Sequence, residues 1–247
     1  MTENTELNDT TNPVVKAVVI KKSPVPKTEK LKLSKRASDQ INNGIKKYKK
    51  TIELAKTKQL NESDTSNIIH DMLAELFWYE KILDITTEYR IKGQFCDYWV
   101  KINDKLKFLI EVKQVWFELN DNHLYQASSY AASEWVKWVI LTNLREWKIY
   151  FLSFGAKIEH DLVLSFDFLS ESKAIKLSEF CSYLHKESFS KDYLEKYRGQ
   201  KLALKWDNLK KALMSKPVVA KIKAEIQKNS KVKVSDAEIV DEIMKLF

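Results

Sequence analysis

Between residues 36 and 60, Ile41, Ile45, Tyr48, Ile52 and Ala55 recur among lysines at the three- and four-residue spacing of one helix face. The pattern predicts an amphipathic basic helix, weakened near its middle by Gly44. A stronger helix opens within NESDTSNIIHDMLAELFWYEKIL. Ser63 or Asp64 is placed to cap it, and Ile68, Ile69, Met72, Leu73, Leu76 and Phe77 form a broad apolar face. The period then drops to two. ITTEYRI, FCDYWVKI and LKFLIEVK read as strands, a helical DNHLYQASSYAAS comes next, and VKWVILTN and REWKIYFLS lie close enough for a hairpin turned at Asn143 and Leu144. Helix, three strands, helix and two strands describe an α/β layer with a mixed central sheet flanked by helices.

After about Ser172 helical periodicity returns in LSEFCSYLHKE, KDYLEKY, KLALKWDNLKKALM and DAEIVDEIMKLF. The chain therefore divides into a basic N-terminal arm with its amphipathic helix (1–60), a central α/β domain (61–171) and a helical C-terminal domain (172–247). The last is suited to docking or to self-association as a homodimer. No internal repeat is visible.

Composition narrows the class. A hydrophobic content of 44% over 247 residues is enough for a packed core. No apolar run approaches the roughly 20 residues of a membrane span, and the polar N-terminus is no signal peptide. Cys96 and Cys181 make neither a metal-ligand pattern nor a disulfide framework. A soluble cytoplasmic protein is the expectation. The scarce glycines, Gly44, Gly93, Gly155 and Gly199, lack the spacing of a phosphate-cradling loop, so any nucleotide-driven motor would be a separate polypeptide.

Charge is unevenly placed. From Lys16 to Lys58, fourteen Lys or Arg face three acidic residues, a net of +11 against +8 for the whole chain, which leaves −3 elsewhere. Such an arm suits a polyanion, nucleic acid being the commonest, although a solubilising tail reads the same way. Lys35, Arg36, Lys46, Lys47, Lys49 and Lys50 are the candidate phosphate contacts, and the arm is expected to supply most of the affinity.

The strands carry the chemistry. In FCDYWVKI, Asp97 shares a face with Phe95, Trp99 and Lys101; in LKFLIEVK, Glu111 and Lys113 share one with Leu109. A hairpin through NDK at 103–105 brings Asp97 near Glu111. Two carboxylates held close repel unless a cation joins them. Hard divalent ions take carboxylate, carbonyl and water oxygens, making Asp97, Glu111 and the Val112 carbonyl candidate ligands for Mg²⁺, or alternatively Mn²⁺. Lys113 would position or deprotonate the attacking water. The arrangement suits metal-assisted phosphodiester hydrolysis. The plain alternative is a half-solvated sheet face.

Asp97, with Glu111-Val112-Lys113 fourteen residues beyond it, resembles the D…(D/E)xK signature of the restriction-endonuclease-like nucleases. Gln126-x-x-x-Tyr130 in HLYQASSYA and the hairpin VKWVILTNLREWKIYFL resemble the segments C-terminal to that signature in the N-terminal nuclease domain of type I restriction enzyme R subunits. ESDT (Glu62 to Thr65) and TEY (Thr87 to Tyr89) are similar to that family as well. The resemblance spans roughly residues 61–152. It implies a restriction-endonuclease-like core and an Mg²⁺-dependent endonuclease acting on DNA, in restriction of foreign DNA or in repair, with Asp97 and Glu111 as metal ligands and Lys113 as the catalytic lysine.

By the same resemblance Gln126 and Tyr130 form an accessory motif, and Glu62 matches the first-helix glutamate. Glu62 reads equally as a capping or exposed residue, Glu75 is a weaker substitute, and Tyr130 is also placed to pack on the sheet. Cys96 stands where proline is frequent. The family's helicase motor is absent from this chain, so a separate motor or specificity subunit is the implied partner. The rival reading is a non-cleaving nucleic-acid-binding module of the same fold. The four histidines are scattered and read as surface or packing residues, whereas Trp116, in the loop after Lys113, is placed to stack on a base.

Overall fold

The computed structural model describes residues 31–91, 94–170 and 177–246, without the side chains of residues 88–91, 94, 95, 121 and 126. Residues 1–30, half of the expected arm, lie outside them. The long-range pairing that positions everything else is a mixed six-stranded sheet whose spatial order matches the sequence: β1 (Ile85–Ile91), β2 (Gln94–Ile102), β3 (Lys105–Val112), β4 (Trp138–Thr142), β5 (Glu146–Phe154) and β6 (Ile158–Asp167). Every neighbouring pair is antiparallel except β3 and β4, which run parallel because helix α3 (Asp121–Ser133) crosses between them.

Tight turns close the hairpins, and a register shift between Val100 and Lys101 moves the β2–β3 pairing by one residue beyond its turn. Asn103 and Asp104, both at positive φ (51° and 59°), close the β2–β3 hairpin in the twist of a primed two-residue turn. Leu144, at φ 73°, turns the β4–β5 hairpin where the alternation places it. Its N–H is held by Thr142 Oγ1 at 3.0 Å and its side chain is buried. The sixth strand is not expected from its sequence. IEHD opens it with polar residues because β6 lies at the sheet edge, where only its later half, Val163, Leu164 and Phe166, faces the core.

One face of the sheet carries Trp99, Leu109, Val139, Leu141, Tyr150 and Leu152, covered by Leu124, Ala127, Tyr130 and Ala131 of α3. The other carries Tyr98, Val100, Phe108, Ile110, Ile140 and Ile149 beneath the helices α1 (Lys35–Thr57), α2 (Glu62–Glu75), α4 (Leu177–Leu184), α5 (Lys186–Ser190) and α6 (Tyr193–Ala203). The apolar stripe of α1 falls where its periodicity puts it, with Ile41, Tyr48, Ile52 and Ala55 buried.

The core does not respect the boundaries expected at 60/61 and 171/172. Ile41, Tyr48 and Ile52 from one side, and Phe180, Cys181, Leu184, Phe189 and Leu194 from the other, share one apolar cluster with the sheet. Ser34 caps α1 and donates from its Oγ to Glu187 of α5 at 2.8 Å, and Tyr79 donates to the Leu184 carbonyl at 2.9 Å. Residues 31–246 belong to one compact unit. The remaining helices α7 (Trp206–Leu213), α8 (Lys216–Ser230) and α9 (Asp236–Met244) bury only Val219 and Ile239 among the described residues. None of the described helices is long and apolar enough to cross a membrane.

Gly44 is better understood as a contact than as a weakness. A Cβ there would stand 2.6 Å from Leu76 Cδ1 and 3.3 Å from Leu76 Cβ, where α1 presses on the end of α2. Gly44→Ala gains about 1 kcal/mol of helix propensity. Leu76 is fully buried and cannot swing away, and overpacking costs about 1–3 kcal/mol. The expected net result is a lower midpoint in urea with an unchanged m-value; a higher midpoint would show that the helices separate without cost.

Candidate active site

The β2–β3 register runs Val100↔Phe108, Trp99↔Leu109, Tyr98↔Ile110, and one further step sets Asp97 opposite Glu111. The strand ends are pinned together there, because the Val112 N–H donates to Asp97 Oδ2 at 2.7 Å. Glu111 also lies beside Leu141, and Lys113 N–H donates to the Thr142 carbonyl at 2.8 Å. The site thus sits at the C-terminal ends of the parallel pair β3 and β4. Chains leave a sheet in such places and ligands are commonly held there.

Glu111 is 3% exposed. Its Oε1 accepts from Lys113 Nζ at 2.8 Å, whereas its buried Oε2 has no hydrogen-bond partner among the described residues. Lys113 Nζ also lies 3.8 Å from Glu62 Oε2. Burial, then the neighbouring Asp97 charge, push the Glu111 carboxyl up to about 7, against the pull of Lys113. Burial works to lower the Lys113 ammonium, but Glu111, Glu62 and Asp97 outweigh it and hold its pKa above the ordinary lysine value. Three carboxylates surround one ammonium.

Glu62 reaches this cluster as the first residue of α2. The cap is Asn61, whose side chain accepts from the Asp64 N–H at 2.8 Å, rather than Ser63 or Asp64. The helix therefore begins one residue before ESDT's serine, and Glu62 stands at its positive end with a half-exposed side chain. Glu75 is elsewhere: it accepts from Tyr48 Oη at 2.7 Å and pairs with Lys47, fastening α2 to α1. It is no substitute ligand.

Tyr130 is buried in the apolar cluster under α3, which gives it a packing role. Gln126 lies in α3 one turn before it, but its side chain falls outside the described residues, as do those of Glu88 and Tyr89 in the TEY motif.

Two residues near the site look unremarkable in the sequence. His123, in the first turn of α3, accepts at Nδ1 from the Asn120 N–H at 3.4 Å. Burial, with the Lys113 charge adding to it, lowers its pKa. Its signal is its place one turn ahead of Gln126. Lys148 lies opposite Leu141 on β5, donates to the Leu119 carbonyl at 3.0 Å and pairs with Glu146 at 3.2 Å. A lysine inside the apolar run WKIYFL is the available clue.

Of the candidate phosphate contacts, Lys35, Lys46, Lys49 and Lys50 fall within about 100° of arc on α1, with Lys49 half-buried and the others exposed. Lys47 is turned toward Glu75, and the Arg36 guanidinium lies 4.6 Å over the Trp78 ring, so these two serve packing.

No group of three or more His, Cys, Asp or Glu side chains positioned to hold a metal ion occurs among the described residues. The donor set here is smaller: the carboxylates of Asp97 and Glu111 with the neighbouring Val112 backbone. Mg²⁺ usually keeps several waters and takes only one or two carboxylates, so that set fits it, and the unpartnered Glu111 oxygen supplies a buried acceptor that a cation would satisfy. No family model matches the chain, and no curated protein or solved structure matches it at a significant level.

Proposed function

We propose that this protein is a divalent-cation-dependent endonuclease that hydrolyses DNA phosphodiesters on a restriction-endonuclease-like core, within the cell and in defence against foreign DNA. The observation that carries the reading is the Glu111 carboxylate. It is buried, half-satisfied and set against Asp97, with Lys113 and Glu62 beside it, in a place where an apolar residue would pack at no electrostatic cost. The order of Glu62, Asp97, Glu111-Val112-Lys113 and Gln126 along the chain adds support. Asp97, Glu111 and the Val112 carbonyl would hold Mg²⁺ or Mn²⁺, which supplies charge stabilisation on the phosphodiester oxygens. Lys113, kept charged by its acidic neighbours, orients the attacking water and meets negative charge developing on the phosphate. Glu62 steadies the Lys113 ammonium from the helix end. A motor or specificity subunit, if used, is a separate chain.

The test is nicking of supercoiled plasmid by the purified chain with Mg²⁺, with Mn²⁺ and with EDTA. Cation-dependent conversion to open-circular and linear forms supports the proposal. Binding without cleavage under both ions would favour a non-cutting module of the same fold.

The basic face of α1 supplies a second expectation. Deletion through residue 58 would remove Ile41, Tyr48 and Ile52 from the core, so charge has to be neutralised in place. Changing Lys35, Lys46, Lys49 and Lys50 together to glutamine should flatten the slope of log K against log salt by up to about 3–4, at about 0.9 per phosphate released. Thermal stability should stay near wild type because these lysines lie outside the apolar stripe. An unchanged slope in metal-free binding titrations would remove α1 from the interface.

A further inference from the structure

The loop that leaves Lys113 is built as a rigid mount for two exposed aromatic rings. Val115 and Leu119 are buried and anchor it from below. The Phe117 carbonyl accepts from Asn143 Nδ2 at 2.7 Å, the Phe117 N–H donates to the Gln114 carbonyl at 2.9 Å, and the Leu119 carbonyl accepts from Lys148. A loop held at so many points could have tucked its aromatics inward. Instead Trp116 is 56% exposed and Phe117 39% exposed. Their ring centroids are 5.9 Å apart, and Phe117 lies 5.1 Å from the ring of His123, which is close enough to Lys113 to feel its charge. Lys56 of α1 and Arg145 of the β4–β5 turn, the latter paired with Asp167, line the same cavity of about 350 Å³ as Trp116 and Phe117, with Glu118 and Glu146 also on its wall.

Exposed indole and phenyl rings beside cations are what unpaired nucleotides require: a π-face for the base and positive charge for the backbone. A continuous duplex offers its bases only as edges in the grooves, so its π-faces cannot reach such a platform. Trp116 stands three residues from Lys113, at most about 11 Å along the chain, or one to two nucleotides. We infer that Trp116 and Phe117 form a stacking platform for unpaired bases next to the candidate active site, so that the substrate carries a single-stranded segment adjoining the phosphate to be cut. The inference rests on the nuclease reading for its cleavage part only.

The experiment measures fluorescence anisotropy of labelled oligonucleotides in EDTA, so that binding is read without cutting. The full chain, Trp116→Ala, Trp116→Phe and, as a control, Trp135→Ala are each titrated with a twelve-nucleotide single strand and with a blunt duplex. Trp135 is also exposed, but it lies just beyond the far end of α3. Loss of one base stack corresponds to at least about a fivefold weakening. The expected result is that loss for Trp116→Ala on single strands, partial retention by Trp116→Phe, and wild-type affinity for Trp135→Ala. Deoxy and ribo versions of the strand show which sugar is preferred.

Equal losses on strand and duplex, no loss at all, or the same loss in Trp135→Ala would overturn the platform. A chain that cuts neither plasmid nor a duplex carrying a single-stranded tail, but shows the Trp116-specific loss, keeps the platform and sinks the nuclease. A cutting chain without that loss does the reverse.

Discussion

Asp97→Ala and Glu111→Ala are each expected to reduce cation-dependent plasmid nicking by at least about a hundredfold, the scale on which a preorganised electrostatic group acts. The two variants should fail for the same reason. Each removes one of the two side-chain carboxylates that would hold the ion, and weakened Mn²⁺ binding by calorimetry should accompany the lost activity. Lys113→Ala should separate the functions. It removes the group that orients water, so nicking falls comparably, but it also removes a cation competing for Glu111, so Mn²⁺ affinity should hold or improve. Wild-type nicking by either carboxylate variant would dismiss the site assignment, and a Lys113→Ala protein that neither cuts nor binds ions would show the lysine to be structural.

Glu111→Gln is expected to make the metal-free protein more stable, and the advantage should depend on pH. In the folded chain the carboxyl titrates at about 7, against an ordinary value of 4.5. Between those values the folded state binds the proton and the unfolded chain does not, so stability falls as pH rises. The penalty is absent below 4.5 and complete above about 7, where a shift of this size corresponds to about 3 kcal/mol. Glutamine keeps the shape and has nothing to ionise. Melting in EDTA should therefore find the two proteins similar near pH 4.5, with the variant several degrees higher at about pH 8. Mg²⁺ should then raise the wild type and leave the variant unmoved, since an ion that binds only the folded state stabilises it. A variant less stable than wild type in that alkaline, metal-free buffer would mean that the Glu111–Lys113 pair outweighs the burial of its charge.

Much of this site is legible in the sequence. Alternation marks Asp97 and Glu111 as strand residues and Asn103-Asp104 announces the turn that joins their strands, because both signals are local; the register shift between Val100 and Lys101 that brings the two carboxylates to one face is set by the fold. The restriction to short range explains what sequence reasoning misses. An amphipathic helix shows the same stripe whether it caps its own domain or a distant sheet, so periodicity assigns α1 and α4 to α6 to separate bodies although they share one core. Asn61, Ser63 and Asp64 are all competent caps, and only the fold selects Asn61, the choice that sends Glu62 toward Lys113. Glu75 reads like Glu62 by type; its engagement with Tyr48 and Lys47 is a tertiary fact. β6 escapes because an edge strand buries little on either side of its first half.

The sheet's sequential order bears on how the chain assembles. Each strand pairs with its neighbour in sequence, and every connection except the α3 crossover between β3 and β4 is short, so the hairpin carrying Asp97 and Glu111 can form early. Helix α1 has a different history. It packs on α4 from more than a hundred residues away, and during synthesis its buried stripe of Ile41, Tyr48 and Ile52 must wait for Phe180 and Leu184 to leave the ribosome. Of the described elements α1 is thus made first and completed among the last, and its lysine-rich face suits a helix that waits in water.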